Sequence, residues 1–462
     1  MKTSYPLVII GAGPAGMAAA QVAAAQGVEV AVIDEQAQPG GQIYRNVDSS
    51  PLADAQLLGR DYLLGKPQVQ AFRHTPIEYF PASAVWYLDR NREIGLLHQA
   101  EHRRIEAGSI VIACGAQERP MPIPGWQLPG VMTAGAGQIL LKSAALVPSQ
   151  PPVLAGSGPL MLLLAWQYLR AGVGVRAIVD TTPRHNRLQA MLRLPRALAA
   201  AEYLYKGLKL ISAIKRARIP WYLEARNLCA DGDEQLQRLR FDSRGGAVEI
   251  ETGLLQLHQG VIPALQLADA AGCEMRWSEM QQCWQPLVDA WGESSIAGVF
   301  IAGDAAGIGG ARAAALAGQL AGLQVAFRQN RIGQQQRNRL ARPLQIALRR
   351  HLAIRPFLDS YYRIDNDAQL SDGTTLVCRC EEISAAEIDA VAALGCSGPN
   401  QAKAFTRCGM GHCQGRFCGA SVEILLARHR ACSVADIGRF TTRPPLKPVT
   451  LGQLAAASGD QS

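Results

Sequence analysis

The sequence lacks the long apolar stretch that a membrane-spanning helix requires. No apolar run among its 462 residues approaches the roughly 20 residues that cross a bilayer. The longest candidate, PLMLLLAWQYL, is typical of a buried helix. The amino terminus also lacks a basic region, an apolar core and a cleavage site in that order, because it leads directly into the strand-like PLVIIGAG. We therefore predict a cytoplasmic protein with no secretory signal and no transmembrane segment.

Acidic residues are missing from one long stretch, residues 305–358. This stretch holds nine arginines and no lysine, so it accounts for the whole net charge of +8. It contains no recognisable nucleic-acid module, and its only aromatic residues are Phe327 and Phe357. We predict no nucleic-acid partner. Two interpretations of the stretch stay open: a solvated arginine face on helices, or a docking surface for an acidic partner or a phosphate-bearing cofactor.

Length and composition indicate several packed domains. A chain of 462 residues exceeds one modest domain and can form two or three. Apolar residues make up 48% of the sequence, and glycine is abundant with 45 residues. Such a composition favours a well-packed α/β protein over a disordered chain.

The amino-terminal region carries a dinucleotide-binding pattern of strand, glycine turn, helix and strand. The segment LVIIGAGPAGMAAAQVAAAQGVEVAVIDE places Gly11, Gly13 and Gly16 in the spacing G-x-G-x-x-G. The first glycine permits a tight turn, the second lets a pyrophosphate approach the backbone, and the third lets helix and strand pack closely. The helix begins around Pro14 and Ala15 and directs its free amides at the phosphates.

Two acidic residues end the second strand of this pattern. A carboxylate at that place can accept hydrogen bonds from a ribose 2′-hydroxyl. The spacing favours Asp34, and Glu35 is the alternative. Because the glycines occur in the full context of strand, turn, helix, strand and acid, the pattern is a specific one. It predicts a nucleotide site.

Three further segments indicate that the predicted nucleotide is a flavin. They are PGGQIYR with Gly41 and Gln42, SIVIACGAQERPMPIPG with Gly115, and AGVFIAGDAAG with Gly303 and Asp304. They resemble the loop after the ribose-binding acid, the A-T-G strand and the G-D motif of flavoproteins with two dinucleotide-binding domains. This resemblance implies FAD in the first site. It also implies that Asp304 reaches the ribityl and phosphate region of the flavin.

A second strand–turn–helix–strand pattern follows in PPVLAGSGPLMLLLAWQYLRAGVGVRAIVD. It retains Gly156 and Gly158, and Asp180 ends its second strand, but Met161 stands where the third glycine would be. A methionine there would push the helix away from the strand. The pattern therefore favours a second Rossmann-like fold without NAD(P)H over a working nicotinamide site. No Cys-x-x-Cys occurs in the first 370 residues, which excludes the redox-disulfide mechanism of thioredoxin-reductase-like enzymes.

Cysteines are concentrated near the carboxyl end, where six of the eleven lie between Cys378 and Cys418. In a cytoplasmic protein such clustering points to metal or redox chemistry and not to disulfides. Cys378 and Cys380 precede a short predicted helix, and Cys413 and Cys418 lie in the glycine-rich GMGHCQGRFCG. Four thiolates in two close pairs suit either a zinc site or an iron–sulfur cluster, which spacing alone does not distinguish. Cys408 is an alternative ligand.

The order of Cys-x-Cys, helix and glycine-rich cysteine pair resembles the domain of bacterioferritin-associated ferredoxin. That resemblance implies a [2Fe-2S] cluster on Cys378, Cys380, Cys413 and Cys418. The fold normally closes with Cys-x-x-Cys, whereas four residues separate the last two cysteines of this chain. The other six cysteines are predicted to be small packing residues; they are Cys114, Cys229, Cys273, Cys283, Cys396 and Cys432.

Over essentially its full length the chain resembles the larger, α-type subunit of heteromeric bacterial amine dehydrogenases. This family includes opine oxidase, D-hydroxyproline dehydrogenase and dye-linked proline dehydrogenase, and hydrogen cyanide synthase has a related subunit. The segment PGGQIYR favours the opine and hydroxyproline branch. The resemblance covers GWQLPGVMTAGAGQ and LYKGLKLISAIKRARIP as well as the cofactor motifs.

The resemblance implies an electron-transferring role with no catalytic residue for amine oxidation on this chain. A smaller, FAD-containing β-type subunit would hold the substrate, with a small third subunit in some assemblies. An acceptor would take the electrons, and it could bring the protein to the inner face of the membrane. Some members carry FMN at the subunit interface, or NAD or ATP in the first site. Two alternatives stay open, a stand-alone NAD(P)H-dependent reductase and a non-catalytic scaffold.

We predict an α/β protein with two Rossmann-like domains of the disulfide-reductase-like flavoprotein type and a small α-helical [2Fe-2S] domain. The predicted parts are the first FAD-binding part (1–148), the second Rossmann-like domain (149–290), a return segment of the FAD domain (291–330), an arginine-rich helical linker (331–372), the [2Fe-2S] domain (373–435) and a proline-rich tail (436–462). The tail is expected to be an extended arm, either disordered or lying on a partner.

Overall fold

The first unit of the fold is an α/β layer built on a mainly parallel sheet. The computed structural model describes residues 2–52, 54–365 and 372–459. The elements up to the second unit are β1 (Ser4–Ile10), α1 (Pro14–Ala25), β2 (Val30–Ile33), α2 (Arg60–Leu63), α3 (Gly65–Arg73), β3 (Glu78–Phe80), β4 (Ser83–Leu88), β5 (Glu93–His98), β6 (Glu101–Ile112) and β7 (Ala116–Glu118).

The second unit follows directly. Its elements are β8 (Val131–Thr133), α4 (Ala134–Ala144), β9 (Val153–Ser157), α5 (Pro159–Arg170), β10 (Ala177–Asp180), α6 (Arg184–Met191), α7 (Leu194–Ala197), α8 (Ala201–Arg216), β11 (Trp221–Leu223), β12 (Arg226–Asp231), β13 (Arg238–Ser243), β14 (Gly246–Glu251), β15 (Leu255–Gln259), β16 (Val261–Pro263) and α9 (Gln266–Ala270).

The chain then returns to the first unit and ends in a small helical unit. The remaining elements are β17 (Met275–Ser278), β18 (Cys283–Pro286), β19 (Val299–Ile301), α10 (Ala311–Arg328), α11 (Gln334–Leu352), α12 (Arg355–Tyr361), β20 (Leu376–Cys378), β21 (Ile383–Ser384), α13 (Ala385–Ala393), α14 (Pro399–Thr406), α15 (Gly419–His429), α16 (Val434–Ile437) and α17 (Leu451–Gly459).

The first sheet has the order β3-β2-β1-β6-β5-β4, and β19 pairs with β6. Strands β1, β2, β3, β6 and β19 run parallel, whereas β5 pairs antiparallel with both β4 and β6. All four residues of β2 are buried, as expected for a central strand covered on both faces. Ile10 pairs with both Ile33 and Ile112, so three strands end at one edge. The glycine turn at Gly11 begins there, which is the edge where such sheets bind ligands.

Close packing of α1 against α10 holds this edge together. A Cβ atom on Gly318 of α10 would collide with the carbonyl oxygen of Ala15, and a Cβ on Gly16 would collide with that of Gly11. Gly318 therefore lets α10 approach α1, and Gly16 lets α1 pack against the turn and strand that precede it. The third glycine of the turn thus has the packing role that the sequence predicts.

The second sheet has the order β11-β10-β9-β15-β8 and all of its pairs are parallel. It is the second Rossmann-like half, and it takes in β8, which lies before the predicted boundary at residue 149. Met161 is buried in the core between α5 and its neighbours. The predicted architecture of two Rossmann-like halves is therefore present, while the finer domain limits stay a prediction.

The cysteine unit packs around its own small core of residues from β20, α13, α14 and α15. Ser384 and Glu387 form a reciprocal capping box at the start of α13. Before this unit, α11 and α12 form most of the predicted arginine-rich linker, of which residues 366–371 lie outside the described part of the chain. No described helix has both the length and the apolar character needed to cross a membrane.

The start of the C-terminal tail lies on the chain's own first unit. The Leu446 amide donates to the Trp86 carbonyl on the edge strand β4 at 2.7 Å, and only 1% of Leu446 is exposed. The expectation of a disordered or partner-bound arm is therefore wrong for this part of the tail. That expectation rests on the proline-rich composition of the tail, and composition does not reveal that a single buried residue, Leu446, anchors this segment.

Candidate functional site

A cavity of about 500 Å³ lies at the carboxyl edge of the first sheet, within the range of small-molecule sites. Ten of the twelve residues predicted to bind the cofactor line it; they are Gly11, Gly13, Pro14, Ala15, Asp34, Glu35, Gly41, Gln42, Gly115 and Asp304. The remaining two, Gly16 and Gly303, lie behind the residues that line the cavity. Gly16 packs against the carbonyl of Gly11, and Gly303 packs against Ala15.

The glycine turn offers an anion site at the start of α1. Gly13 is the N-cap residue and Pro14 the first residue of this 12-residue helix, so its first amides have no partner within the helix. A Cβ atom on Gly41 would lie 3.0 Å from the Cα atom of Gly13, which shows how closely the loop approaches the turn. The backbone here can cradle a pyrophosphate group.

The two candidate ribose acids have different surroundings. Buried Asp34 accepts from the amide of Gln36 at 2.6 Å and, through its other oxygen, from the amide of Ala12. Burial raises the pKa of Asp34, and the bonds from Ala12 and Gln36 lower it. Glu35 lines the same cavity with 55% of its side chain exposed. Asp34 thus holds the glycine turn, whereas both oxygens of Glu35 contact the Lys447 ammonium at the cavity wall; which of the two acids binds a ribose hydroxyl stays a prediction.

Asp304 shapes the loop that leads into α10. One of its oxygens accepts from the amides of Gly309 and Gly310 at 2.8 and 2.9 Å. This carboxylate therefore fixes the loop while its side chain also lines the cavity. Nearby, Cys114 lines the cavity as well, and burial raises its pKa to about 12. The raised pKa favours the protonated thiol of Cys114 at neutral pH.

The corresponding place in the second half is filled by the chain itself. Asn186 donates to the carbonyl of Arg363 at 2.6 Å, and the Ile364 amide donates to Gln282 at 3.0 Å. Two cavities of only about 70 and 140 Å³ remain there in the described part of the chain. Asp180 accepts from the Thr182 amide at 2.8 Å. A dinucleotide would have to displace this linker segment.

A group of three buried cysteines forms the centre of the C-terminal unit. The thiols of Cys378, Cys408 and Cys418 lie within 4.8 Å of one another. Hydrogen bonds from Cys408 and then Cys418 lower the pKa of Cys378 to about 2. One thiolate is therefore favoured in this group, and the thiolate is the form that binds a metal.

The other two predicted ligands form a pair beside this group. The Cys380 thiol has Cys413 as its hydrogen-bonding neighbour, and burial raises the pKa of Cys380. A Cβ atom on Gly411 would collide with that of Cys380, so the loop passes the first cysteines closely because a glycine stands there. The four predicted ligands thus form two pairs, 378 with 418 and 380 with 413. Cys408 is a fifth thiol beside the first pair.

The loop between Cys413 and Cys418 joins this centre to the dinucleotide cavity. Gln117 donates to the Arg416 carbonyl at 2.7 Å, and Arg416 itself lines the cavity. Sequence patterns did not indicate the place of Arg416, Leu446 and Lys447 in the cavity wall. No local pattern marks these residues, because their role depends on how distant parts of the chain pack.

Comparisons with known proteins agree with this architecture. Residues 5–329 match the family model of pyridine nucleotide-disulphide oxidoreductases, and residues 372–458 match that of the sarcosine oxidase A3 domain. The chain is 42% identical to the A subunit of opine oxidase from Rhizobium meliloti, over 98% of this chain and 88% of that protein. It is 29% identical to the hydrogen cyanide synthase subunit HcnB of Pseudomonas aeruginosa, over 96% of each chain.

The fold is similar to that of L-proline dehydrogenase from P. horikoshii. The TM-score is 0.70 at 18% identity, over 98% of this chain and 79% of that structure. This likeness supports the fold alone, whereas the sequence matches confirm the family predicted from the motifs. The chain is thus an oxidoreductase that belongs to the pyridine nucleotide-disulphide oxidoreductases and, over nearly its full length, to the family of the opine oxidase A subunits.

Proposed function

We propose that this chain is the electron-transferring subunit of a heteromeric dehydrogenase that oxidises a secondary amine or amino acid of the opine, D-hydroxyproline or proline type. A smaller flavoprotein subunit would bind and oxidise the substrate, and this chain would relay the electrons to an acceptor. The subunit designation of the opine oxidase relatives supports a heteromeric enzyme. The higher identity to opine oxidase, 42% against 29%, favours this class over a cyanide-forming enzyme.

The cavity of the first unit fits FAD in size and chemistry. The turn from Gly11 to Gly16 would hold the pyrophosphate, Asp34 or Glu35 the ribose, and Asp304 the ribityl region. The two cysteine pairs fit a [2Fe-2S] cluster, which needs four thiolate ligands. A flavin accepts two electrons as a hydride and releases them singly to a one-electron centre. FMN at the interface with the partner subunit remains part of the proposal.

The contact between cavity and cysteine centre is the observation that carries this proposal. The loop that supplies Cys413 and Cys418 also supplies Arg416 to the cavity wall, and its backbone accepts a hydrogen bond from Gln117 of β7. The two candidate redox sites therefore share one loop. Such an arrangement suits electron transfer between them.

The stand-alone reductase is less well supported by the geometry. It would need NAD(P)H in the second half, where residues 363–365 and the buried Met161 leave little space. In the proposed enzyme the electrons come from the partner subunit.

Anaerobic titration of the purified chain tests this function. We expect NADH and NADPH to leave the visible spectrum unchanged, while dithionite bleaches both flavin and cluster absorbance. Adding an amine substrate together with the partner subunit should then bleach the same bands, with octopine, D-hydroxyproline, proline and glycine compared. Rapid bleaching by NADH or NADPH would instead identify a stand-alone reductase.

A further inference from the structure

We propose that Arg416 and Lys447 complete the first dinucleotide site and bind an adenine nucleotide that carries a 5′-diphosphate. This role of the two cations rests on the proposed function, which places such a nucleotide in the first site. Both residues come from the C-terminal part of the chain, and both line the cavity formed by the glycine turn. They would make the nucleotide a shared ligand of the first unit and the cysteine unit.

Arg416 is fixed in the cavity wall by three backbone contacts. Its guanidinium donates to the Cys413 carbonyl at 3.1 Å and to the Leu446 carbonyl at 2.8 Å. Its own carbonyl accepts from Gln117 at 2.7 Å. The guanidinium has five N–H donors, so donors remain for a ligand after these two bonds. Because the side chain is already ordered, binding would cost little further entropy.

Lys447 is placed by its buried neighbour. Leu446 is anchored on β4 through the Trp86 carbonyl, and this anchor brings the Lys447 ammonium to 2.9 and 3.0 Å from the two oxygens of Glu35. This ion pair is partly exposed, with 34% and 55% of the side chains accessible, so it adds little to stability. The ion pair instead changes the charge of the cavity, because Lys447 neutralises the Glu35 carboxylate at the place where the ribose would lie.

The charge of the cavity explains why two cations are needed. Asp34, Glu35 and Asp304 contribute carboxylates, while Arg416 and Lys447 are the cationic side chains among the residues that line the cavity. The negative charge of these carboxylates would repel a diphosphate, and the amino end of α1 offers only partial positive charge. The two cations offset this repulsion and favour an anionic ligand.

Coupling between nucleotide and tail follows from this geometry. If the nucleotide contacts the segment that carries Leu446 and Lys447, binding must stabilise the docked form of that segment. By linkage, the docked segment then raises the affinity for the nucleotide by the same factor. The same holds for the loop between Cys413 and Cys418, because Arg416 belongs to it.

Calorimetric titration with ADP and with FAD tests the two side chains. We expect Arg416→Met to weaken ADP binding about tenfold, the effect of about 1.4 kcal/mol. Lys447→Met should weaken it about threefold, with a smaller effect at high salt because the site is partly exposed. The matched control is Lys209→Met, which changes an exposed lysine of α8 outside the cavity and should bind ADP as the wild type does.

Hydrogen exchange gives a readout that does not depend on the folding of any variant. Saturating ADP should slow exchange of the Leu446 amide in the wild-type chain. An unchanged exchange rate at Leu446, or wild-type ADP affinity in both Met variants, overturns the inference. If the wild-type chain binds neither ADP nor FAD, the nucleotide assignment of the first site fails, and this inference fails with it. Binding without any dependence on the tail overturns this inference alone.

Discussion

At the scale of single residues, the cysteine centre presents five thiols for four ligand positions. Cys408 shares its buried group with Cys378 and Cys418, yet a [2Fe-2S] cluster needs two pairs of thiolates. The pairs 378 with 418 and 380 with 413 supply them. We therefore predict that Cys408 is a packing neighbour of the first pair, with Cys408 as a ligand in place of Cys418 as the alternative.

Serine substitutions distinguish ligands from this neighbour. We expect Cys378→Ser and Cys413→Ser to lose most iron and visible absorbance, because a lost thiolate leaves one iron incompletely coordinated. Cys408→Ser should retain both, like the control Cys432→Ser at an exposed cysteine. Iron content and the visible spectrum after anaerobic reconstitution measure this. A Cys408→Ser protein without a cluster, beside an intact one in Cys418→Ser, would show that Cys408 is a ligand.

Lys142 is a buried residue whose charge should make stability depend on pH. Its ammonium donates to the carbonyls of Gln42 and Ile43 and to Gln138, and burial lowers its pKa to about 7. The unfolded chain, with an ordinary lysine, therefore binds more protons between pH 7 and about 10. The free energy of unfolding should then rise with pH across this range.

The variant Lys142→Met tests this charge effect. We expect the wild type to gain stability relative to Lys142→Met by at most about 1.4 kcal/mol per pH unit between pH 7 and pH 9. Urea denaturation of both proteins at these two values measures the difference. Parallel stability curves for the two proteins would mean that Lys142 keeps its proton in the folded chain.

At the scale of secondary-structure elements, the sequence predicts what is local. The glycine turn before α1 and the capping box of α13 each depend on a few adjacent residues, and the structure shows both. Whether Asp34 or Glu35 binds the ribose depends on which backbone amides lie near each carboxylate in the folded loop, so the sequence alone does not decide it. The cavity wall at Arg416 and Lys447 depends on docking of a distant unit, which no local pattern shows.

The contact between α1 and α10 leads to a prediction for this pair of helices. Gly318→Ala would place a Cβ atom against the Ala15 carbonyl, so the helices must separate. We expect a loss of about 1–3 kcal/mol in the free energy of unfolding and weaker FAD binding, because α1 carries the glycine turn. The control Gly333→Ala changes a glycine where an added Cβ would have no neighbouring atom within 4 Å. Equal urea midpoints for the two variants would contradict the close contact.

At the scale of the whole molecule, part of the linker lies where the second Rossmann-like half would bind a nucleotide. Two obstacles to NAD(P)H occur there, the side chain of Met161 and the segment 363–365 held by Asn186 and Gln282. Met161 would act through the spacing between α5 and β9, and the segment 363–365 would act by filling the site. The small remaining cavities indicate that the segment is the stronger obstacle.

Met161→Ala separates these two obstacles. We expect the variant to remain unable to bind NADH, because the linker segment still fills the site, although the lost core packing should cost about 2–5 kcal/mol of stability. NADH fluorescence titration measures binding, and circular dichroism checks that the fold is retained. Asn186→Ala, which removes the hydrogen bond to the Arg363 carbonyl, provides the comparison in which the segment is loosened. NADH binding by Met161→Ala alone would show that helix spacing, and not the linker, excludes the nicotinamide nucleotide. The second half would then be a dinucleotide site lost through one side chain, and not a docking place for the chain's own linker.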